Sequence, residues 1–252
     1  MSDLQEFKDL YAQSSCPLSY HGWVKRLIET QEVAATTQLV DDLDEQYLLE
    51  QMLDEVKPRY REGTEHMHYL LKTPFRYPPL KYGSRFGTRL LPSFFYASED
   101  EHSTLGEVAY YRFVFLQHMQ VAYDKAIRSQ HMMFSLEVKT TKSADLRLAD
   151  FDEIKPQLLS ASRYEFSQAV GHYLQTQAKV DLICYPSARL ATGTNVAIAE
   201  PQAIISTEPH SCQTWLCLTL ADKVSFTQGA RALPVTFYRK DFLLDGHLPM
   251  PA

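Results

Sequence analysis

Glycine is scarce in this chain, with nine in 252 residues, about half the usual ~7%. Neither G-x-G-x-x-G nor G-x-x-x-x-G-K-[ST] occurs, which argues against a dinucleotide fingerprint or a P-loop. The four cysteines, Cys16, Cys184, Cys212 and Cys217, are too few for a disulfide framework in a chain of this length. A reducing, cytoplasmic setting is expected. Long apolar runs are absent. Residues 114–116 and 216–218 are typical of those present, far short of the ~20 residues a membrane span needs. The acidic opening, Met1-Ser2-Asp3-Leu4-Gln5-Glu6, has no apolar stretch and does not read as a signal peptide. No internal repeat and no low-complexity tract is found. What remains is 45% hydrophobic and 22% charged, the make-up of an ordinary folded protein and not of a disordered, collagen-like or coiled-coil one.

Acidic residues are missing from one segment and concentrated in another. Up to Tyr60 there are 12 acidic and 5 basic residues; the remainder holds 19 and 20. The net charge of -6 therefore belongs to the N-terminal quarter, and it argues against a general nucleic-acid binder. Between His66 and Ser98 no Asp or Glu occurs, while Lys72, Arg76, Lys81, Arg85 and Arg89 do. One reading is a solvated loop whose charges pair with the acidic N-terminal helices. The other is an anion pocket, most naturally for phosphate, because arginine forks match phosphate oxygens.

Periodicity predicts helices over residues 3–13, 22–33, 37–56, 105–126 and 163–177. The third has Leu49, Met52, Leu53 and Val56 at helical spacing and ends at Lys57-Pro58. Strands are predicted over 93–97, 134–138, 180–185, 196–199, 214–220 and 235–238. Helices come early and short strands late. This suggests an α+β fold with a mixed or antiparallel sheet. Residues 1–62 read as an acidic helical extension, either covering a sheet or offering a partner surface; residues 63–252 form the main domain.

Three places set polar residues beside strand ends or helix starts. They are Tyr82-Gly83-Ser84-Arg85-Phe86-Gly87, Phe95-Tyr96-Ala97 leading to Thr104-Leu105-Gly106-Glu107, and Ile183-Cys184-Tyr185-Pro186-Ser187-Ala188-Arg189. Thr104-x-x-Glu107 is a capping-box pattern, yet the same spacing places a carboxylate in a first helical turn beside a strand end. Ser187 reads as a turn residue after Pro186 or as a functional hydroxyl. Arg85 reads as a surface ion pair and Tyr96 as a strand aromatic, or both belong to a site. His66-Met67-His68, His210-Ser211-Cys212 and Cys212-x4-Cys217 form no closed four-ligand set, so no metal is expected. No base is placed to activate a cysteine. Tyr110-Tyr111 and Phe113 read as a helix packed on a sheet, ahead of a base-stacking platform.

Several stretches together resemble the RES-domain family, named for its Arg, Glu and Ser residues. They are Thr73-Pro74-Phe75-Arg76-Tyr77-Pro78-Pro79, Gly83-Ser84-Arg85-Phe86, Phe95-Tyr96-Ala97-Ser98, Thr104 through Arg112, and Tyr185-Pro186-Ser187-Ala188-Arg189. The resemblance spans about residues 70–245. It implies a core like that of ADP-ribosyltransferases, a toxin neutralised by a cognate antitoxin, and NAD⁺ as substrate. It implies release of nicotinamide by phosphorolysis, with inorganic phosphate as co-substrate, or by hydrolysis. Glu107 would then stabilise the oxocarbenium-like ribose. Arg85 would hold the diphosphate, Tyr96 would pack on nicotinamide or its ribose, and Ser187 would bond the ribose side or the acceptor. Arg76 and Arg189 would be further anion ligands. Where many members have Asn after the aromatic, this chain has Gly87, so Arg89 remains an alternative to Arg85. A protein ADP-ribosyltransferase on the same site, or an inactive NAD-binding or interaction module, are the other functions the resemblance allows.

Overall fold

The computed structural model describes residues 3–30, 39–78, 83–120, 125–229 and 232–250. Along the chain come α1 (Asp3–Gln13), β1 (Leu18–Glu29), α2 (Leu43–Glu55), α3 (Tyr69–Arg76), β2 (Phe95–Ser98), α4 (Glu101–His118) and β3 (Ile127–Asp145). They are followed by α5 (Lys155–Leu158), α6 (Glu165–Thr176), β4 (Leu182–Pro186), β5 (Thr194–Ile198), β6 (His210–Thr219), β7 (Lys223–Thr227) and β8 (Val235–Tyr238). The fold is α+β, and the described residues form one mixed sheet of eight strands in the order β1-β2-β5-β4-β3-β6-β7-β8. All its pairings are antiparallel except β3–β4.

The sheet closes on itself. β1 also pairs with β3, from Leu18 opposite Ser143 to Glu29 opposite His131. Strands β1, β2, β5, β4 and β3 thus form a ring. β3 is long enough to serve both halves: its first part pairs with β6 and its last three residues with β4. Alternation of side chains fills the ring with Val24, Phe95, Phe134, Leu136, Leu182, Val196 and Ile198, and Leu71 and Phe75 of α3 pack against them. On the outside, α1 and α6 cover Ile183, Tyr185 and Ala197. Leu105, Ala109 and Phe113 of α4 pack on β6 to β8 and on Leu27 of β1.

Several sequence expectations are corrected. Residues 22–30, expected as helix, belong to a strand up to Glu29, and 31–33 lie outside the described residues. β1 holds Trp23, Val24 and Ile28, and β-branched and aromatic side chains suit a pleated surface better than a helix. Residues 1–62 therefore do more than lay helices over the sheet, because β1 is a member of the ring. The helix expected from 105 begins at Glu101, capped by Asp100, whose side chain accepts from the Ser103 amide at 2.8 Å. It ends at His118, and residues 121–124 of the expected helix lie outside the described ones. The helix expected over 37–56 is seen as α2 from Leu43; residues 37–38, like Lys81 and Tyr82, are not described.

Candidate functional site

A cleft of about 290 Å³ opens where α4 faces β1 and the ends of β2, β4 and β5; Arg26, Arg85, Tyr96, Glu107, Tyr164, Arg189 and Asn195 are among the residues that line it. Strand register builds its polar wall. Ser98 of β2 stands opposite Asn195 of β5, and Asn195 opposite Tyr185 of β4. Ser98 Oγ donates to Asn195 Oδ1 at 2.6 Å. That bond fixes the amide so that Nδ2 donates to Glu107 Oε1 at 2.7 Å. Ser187 Oγ donates to the same carboxylate oxygen at 2.7 Å and accepts the amides of Arg189 at 3.0 Å and Leu190 at 3.1 Å. Its proton is thereby committed to Glu107. Glu107 Oε2 accepts no hydrogen bond from any described residue. Ser98, Ser187 and Asn195 are all buried, so the carboxylate is held by groups that do not have to be ordered when a ligand arrives.

The capping-box reading of Thr104 and Glu107 is overturned by the cap itself. Asp100 ends the helix, and Thr104 Oγ1 donates back to Asp100 O at 2.7 Å. Glu107 lies in the second turn, turned toward the strand ends. Beside Ser187, the loop after β4 makes room only because residue 193 is glycine. A Cβ there would sit 2.8 Å from Ser187 Cβ.

Tyr96 lines the cleft with its ring, but its hydroxyl serves the loop before β2. It bonds Ser84 Oγ at 2.8 Å and accepts the Phe86 amide at 3.1 Å. Burial pushes its pKa up to about 12, against the lowering effect of those two bonds. The turn carrying Arg85 is pinned further by Ser167 Oγ, which donates to Arg85 O at 2.6 Å, and by Gly171, where a Cβ would meet Phe86 O at 2.1 Å.

Three arginines reach the cleft, in different states. Arg85 Nη1 donates to Leu158 O at 2.8 Å and Ser160 O at 3.1 Å, over the Tyr164 ring. Arg189 Nη2 donates to Ala161 O at 3.0 Å and Tyr164 Oη at 3.1 Å, and lies 3.6 Å from the centre of the Tyr110 ring. Both bind backbone around the end of α5 while keeping other N–H groups for a ligand. Arg26 is the third. Strand alternation puts it on the same face as Val24 and Ile28, which pack inside the ring. It donates to Tyr96 O at 2.9 Å and lies over Phe95 at 4.7 Å, with no carboxylate partner among the described residues. Burial lowers its pKa to about 10.

Of the residues singled out in the sequence, the fold brings Glu107, Ser187, Tyr96, Arg85 and Arg189 together. Arg76 lies elsewhere, paired with Asp54 at 3.3 Å and stacked on Tyr60. Arg89 is exposed and is not among the cleft residues. Arg26, Ser98, Asn195 and Tyr164 were not anticipated. Arg26 was hidden by reading β1 as a helix, and Asn195 by the fact that only pairing of β5 with β2 aims it at Glu107. Among the described residues no group of three or more His, Cys, Asp or Glu side chains is placed to hold a metal. No described helix is long and apolar enough to cross a membrane.

Fold and site together define an α+β protein with a fixed carboxylate in an arginine-lined cleft. The family model described as the RES domain matches residues 59–218, more than half of the chain, and the protein belongs to the RES-domain family. No curated protein matches it. Among solved structures, a chain from "Crystal structure of the M.tuberculosis MbcT-MbcA toxin-antitoxin complex" is similar at a TM-score of 0.47 and 13% identity. That likeness covers 84% of this chain and 89% of that one.

Proposed function

We propose that this protein is an NAD⁺-consuming RES toxin that breaks the bond between nicotinamide and ribose in the cleft. The observation that carries the reading is Glu107, whose Oε1 is held by Ser187 and Asn195 at 2.7 Å each while Oε2 is left for a ligand. Nicotinamide is cationic in NAD⁺ and leaves neutral, taking the bonding pair, so no general acid is required. Positive charge then builds on the ribose, and an adjacent anionic carboxylate lowers the energy of that state. Glu107 supplies the charge; Ser187 and Asn195 keep it in place. Arg26, with no carboxylate partner among the described residues, takes a diphosphate oxygen, and other N–H groups of Arg85 and Arg189 take others. The acceptor adds to ribose C1: inorganic phosphate gives a ribosyl phosphate, and water gives ADP-ribose with release of a proton. Family membership supports a cognate antitoxin as partner.

The test is nicotinamide release from NAD⁺, with and without inorganic phosphate, followed by chromatography. Release that needs phosphate and is lost in Glu107→Gln identifies a phosphorylase. Release without phosphate identifies a glycohydrolase. No release from the folded wild-type protein rejects the reading and turns the search to labelled NAD⁺ marking a protein.

A further inference from the structure

Glu99 and Asp100 alone join β2 to α4. Ser98, at the end of β2, fixes the Asn195 amide at 2.6 Å. Asp100 caps α4, accepting from the Ser103 amide at 2.8 Å and from Ser103 Oγ at 2.5 Å. Each sets one part of the site. Ser98 aims the amide that holds Glu107 Oε1, and Asp100 fixes the start of the helix that carries Glu107. Glu99 stands between them and is not among the residues lining the cleft. Its amide donates to Thr194 O at 3.1 Å, one residue before Asn195. Its carboxylate meets two side chains from distant parts of the chain. Oε1 accepts from Tyr20 Oη of β1 at 3.2 Å, and Oε2 pairs with Arg147 Nη1 at 2.7 Å. Arg147 is itself fixed from two sides. Asp145, at the end of β3, accepts from Nε at 2.7 Å and Nη2 at 2.8 Å, and Lys155 Nζ donates to Arg147 O at 2.9 Å.

We propose that Glu99 is a positioning residue. Anchored on Arg147 and Tyr20, it holds still the short connection from which Asn195 and α4 both take their place, and so sets where Glu107 stands. The inference rests on the proposed function, since it concerns the rate of that reaction. Position, and not bulk stability, is what the anchor supplies. The side chains of Glu99 and Arg147 are 27% and 30% exposed, and ion pairs that keep contact with water add little to overall stability. Geometry is another matter. The fork from Arg147 to Asp145 leaves Nη1 aimed at Glu99, and such two-point bonds fix direction as well as distance. A carboxylate that stabilises developing charge works only where that charge appears, and small displacements of reacting groups cost rate without unfolding the protein.

The experiment splits kcat from KM. Glu99→Gln keeps the side-chain size and an acceptor for Tyr20, and removes the charge from the pair. Its kcat for nicotinamide release should fall about tenfold, with KM for NAD⁺ within about twofold and Tm within about 5 °C of wild type. Arg147→Met should lose rate in the same way, and Arg147→Lys, which keeps a cation, should recover part of it. Glu99→Gln combined with Arg147→Met should lose less than the product of the two single losses, because both break one link. Wild-type kcat in folded Glu99→Gln overturns the inference. So does a full product in the double variant, or a rate loss that comes with a Tm drop beyond about 10 °C, the mark of a merely structural pair. Amide hydrogen exchange is the second readout and does not depend on turnover. In Glu99→Gln the amides of Ser103 and Asn195 should exchange about tenfold faster while those of α6 keep their wild-type rates. Unchanged exchange at Ser103 and Asn195, or acceleration that extends equally to α6, overturns the inference as well. Failure of wild-type protein to release nicotinamide would reject the proposed function alone, leaving exchange to judge the anchor.

Discussion

Replacing Arg26 by methionine separates binding from stability. Burial holds the guanidinium down at about 10, well below its ordinary value. At ~1.36 kcal/mol per pH unit this is a burial cost of about 3 kcal/mol. A cation with a lowered folded pKa bears that cost in full below pH 10, and the cost fades only as pH rises toward the unfolded value. Two contacts offset it. The bond to Tyr96 O at 2.9 Å contributes about 1.5–3 kcal/mol for a charged donor, and the stack on Phe95 about 0.5–2 kcal/mol. Arg26→Met removes cost and contacts together, and methionine fills much of the same space. The variant should stay within about 2 kcal/mol of wild type, a Tm change within about 8 °C for a chain this long. NAD⁺ binding should fall about 10- to 100-fold, the loss of one charge-assisted phosphate contact. Thermal unfolding and NAD⁺ titration of the same preparations measure both. A Tm drop well beyond 10 °C would make Arg26 a structural cation, and unchanged NAD⁺ affinity would refute its place in the site.

Other consequences follow from the same geometry. Glu107→Gln should keep the fold and cut nicotinamide release by at least about 100-fold, because the neutral amide cannot stabilise a developing cation; wild-type rates in the folded variant would exclude the carboxylate role. Asn195→Ala removes one of two bonds holding Glu107 and leaves Ser98 Oγ without its acceptor. It should lose about 1–3 kcal/mol of stability, with a kcat loss that Ser98→Ala shares in smaller degree, read by denaturant unfolding and steady-state kinetics. Gly171→Ala puts a Cβ against Phe86 O, so the turn carrying Arg85 must shift; the expected result is a raised KM for NAD⁺ and a lower Tm. Tyr11, Tyr96 and Tyr110 are held at about 12 by burial. Unfolded tyrosines ionise near 10, so the unfolded state loses protons first as pH rises. Stability should therefore fall between about pH 10 and 12, and Tyr96→Phe should soften that fall in a pH series of denaturation curves.

The sequence by itself determined the mixed character of the fold, most strand positions and a set of motifs that carry the family. Val235–Tyr238 was placed to the residue, and α1 likewise, because a turn-bounded β-branched run and a clean apolar stripe are local signals. The sequence also named five residues that line or border the cleft, although Thr104 and Glu107 alone read equally well as a cap. Tertiary structure decided between those readings: Asp100 caps α4, so Glu107 is free to face Ser187 and Asn195. It decided, too, that Arg76 serves α2 and α3 while Arg26 enters the cleft. Both are arginines near apolar residues, and no local pattern separates them. Strand register settled the rest. Ser98 and Asn195 are 97 residues apart and meet only because β2 and β5 are neighbours. A pairing partner at that distance is fixed by which faces can be buried together, a property of the whole ring and of no single segment.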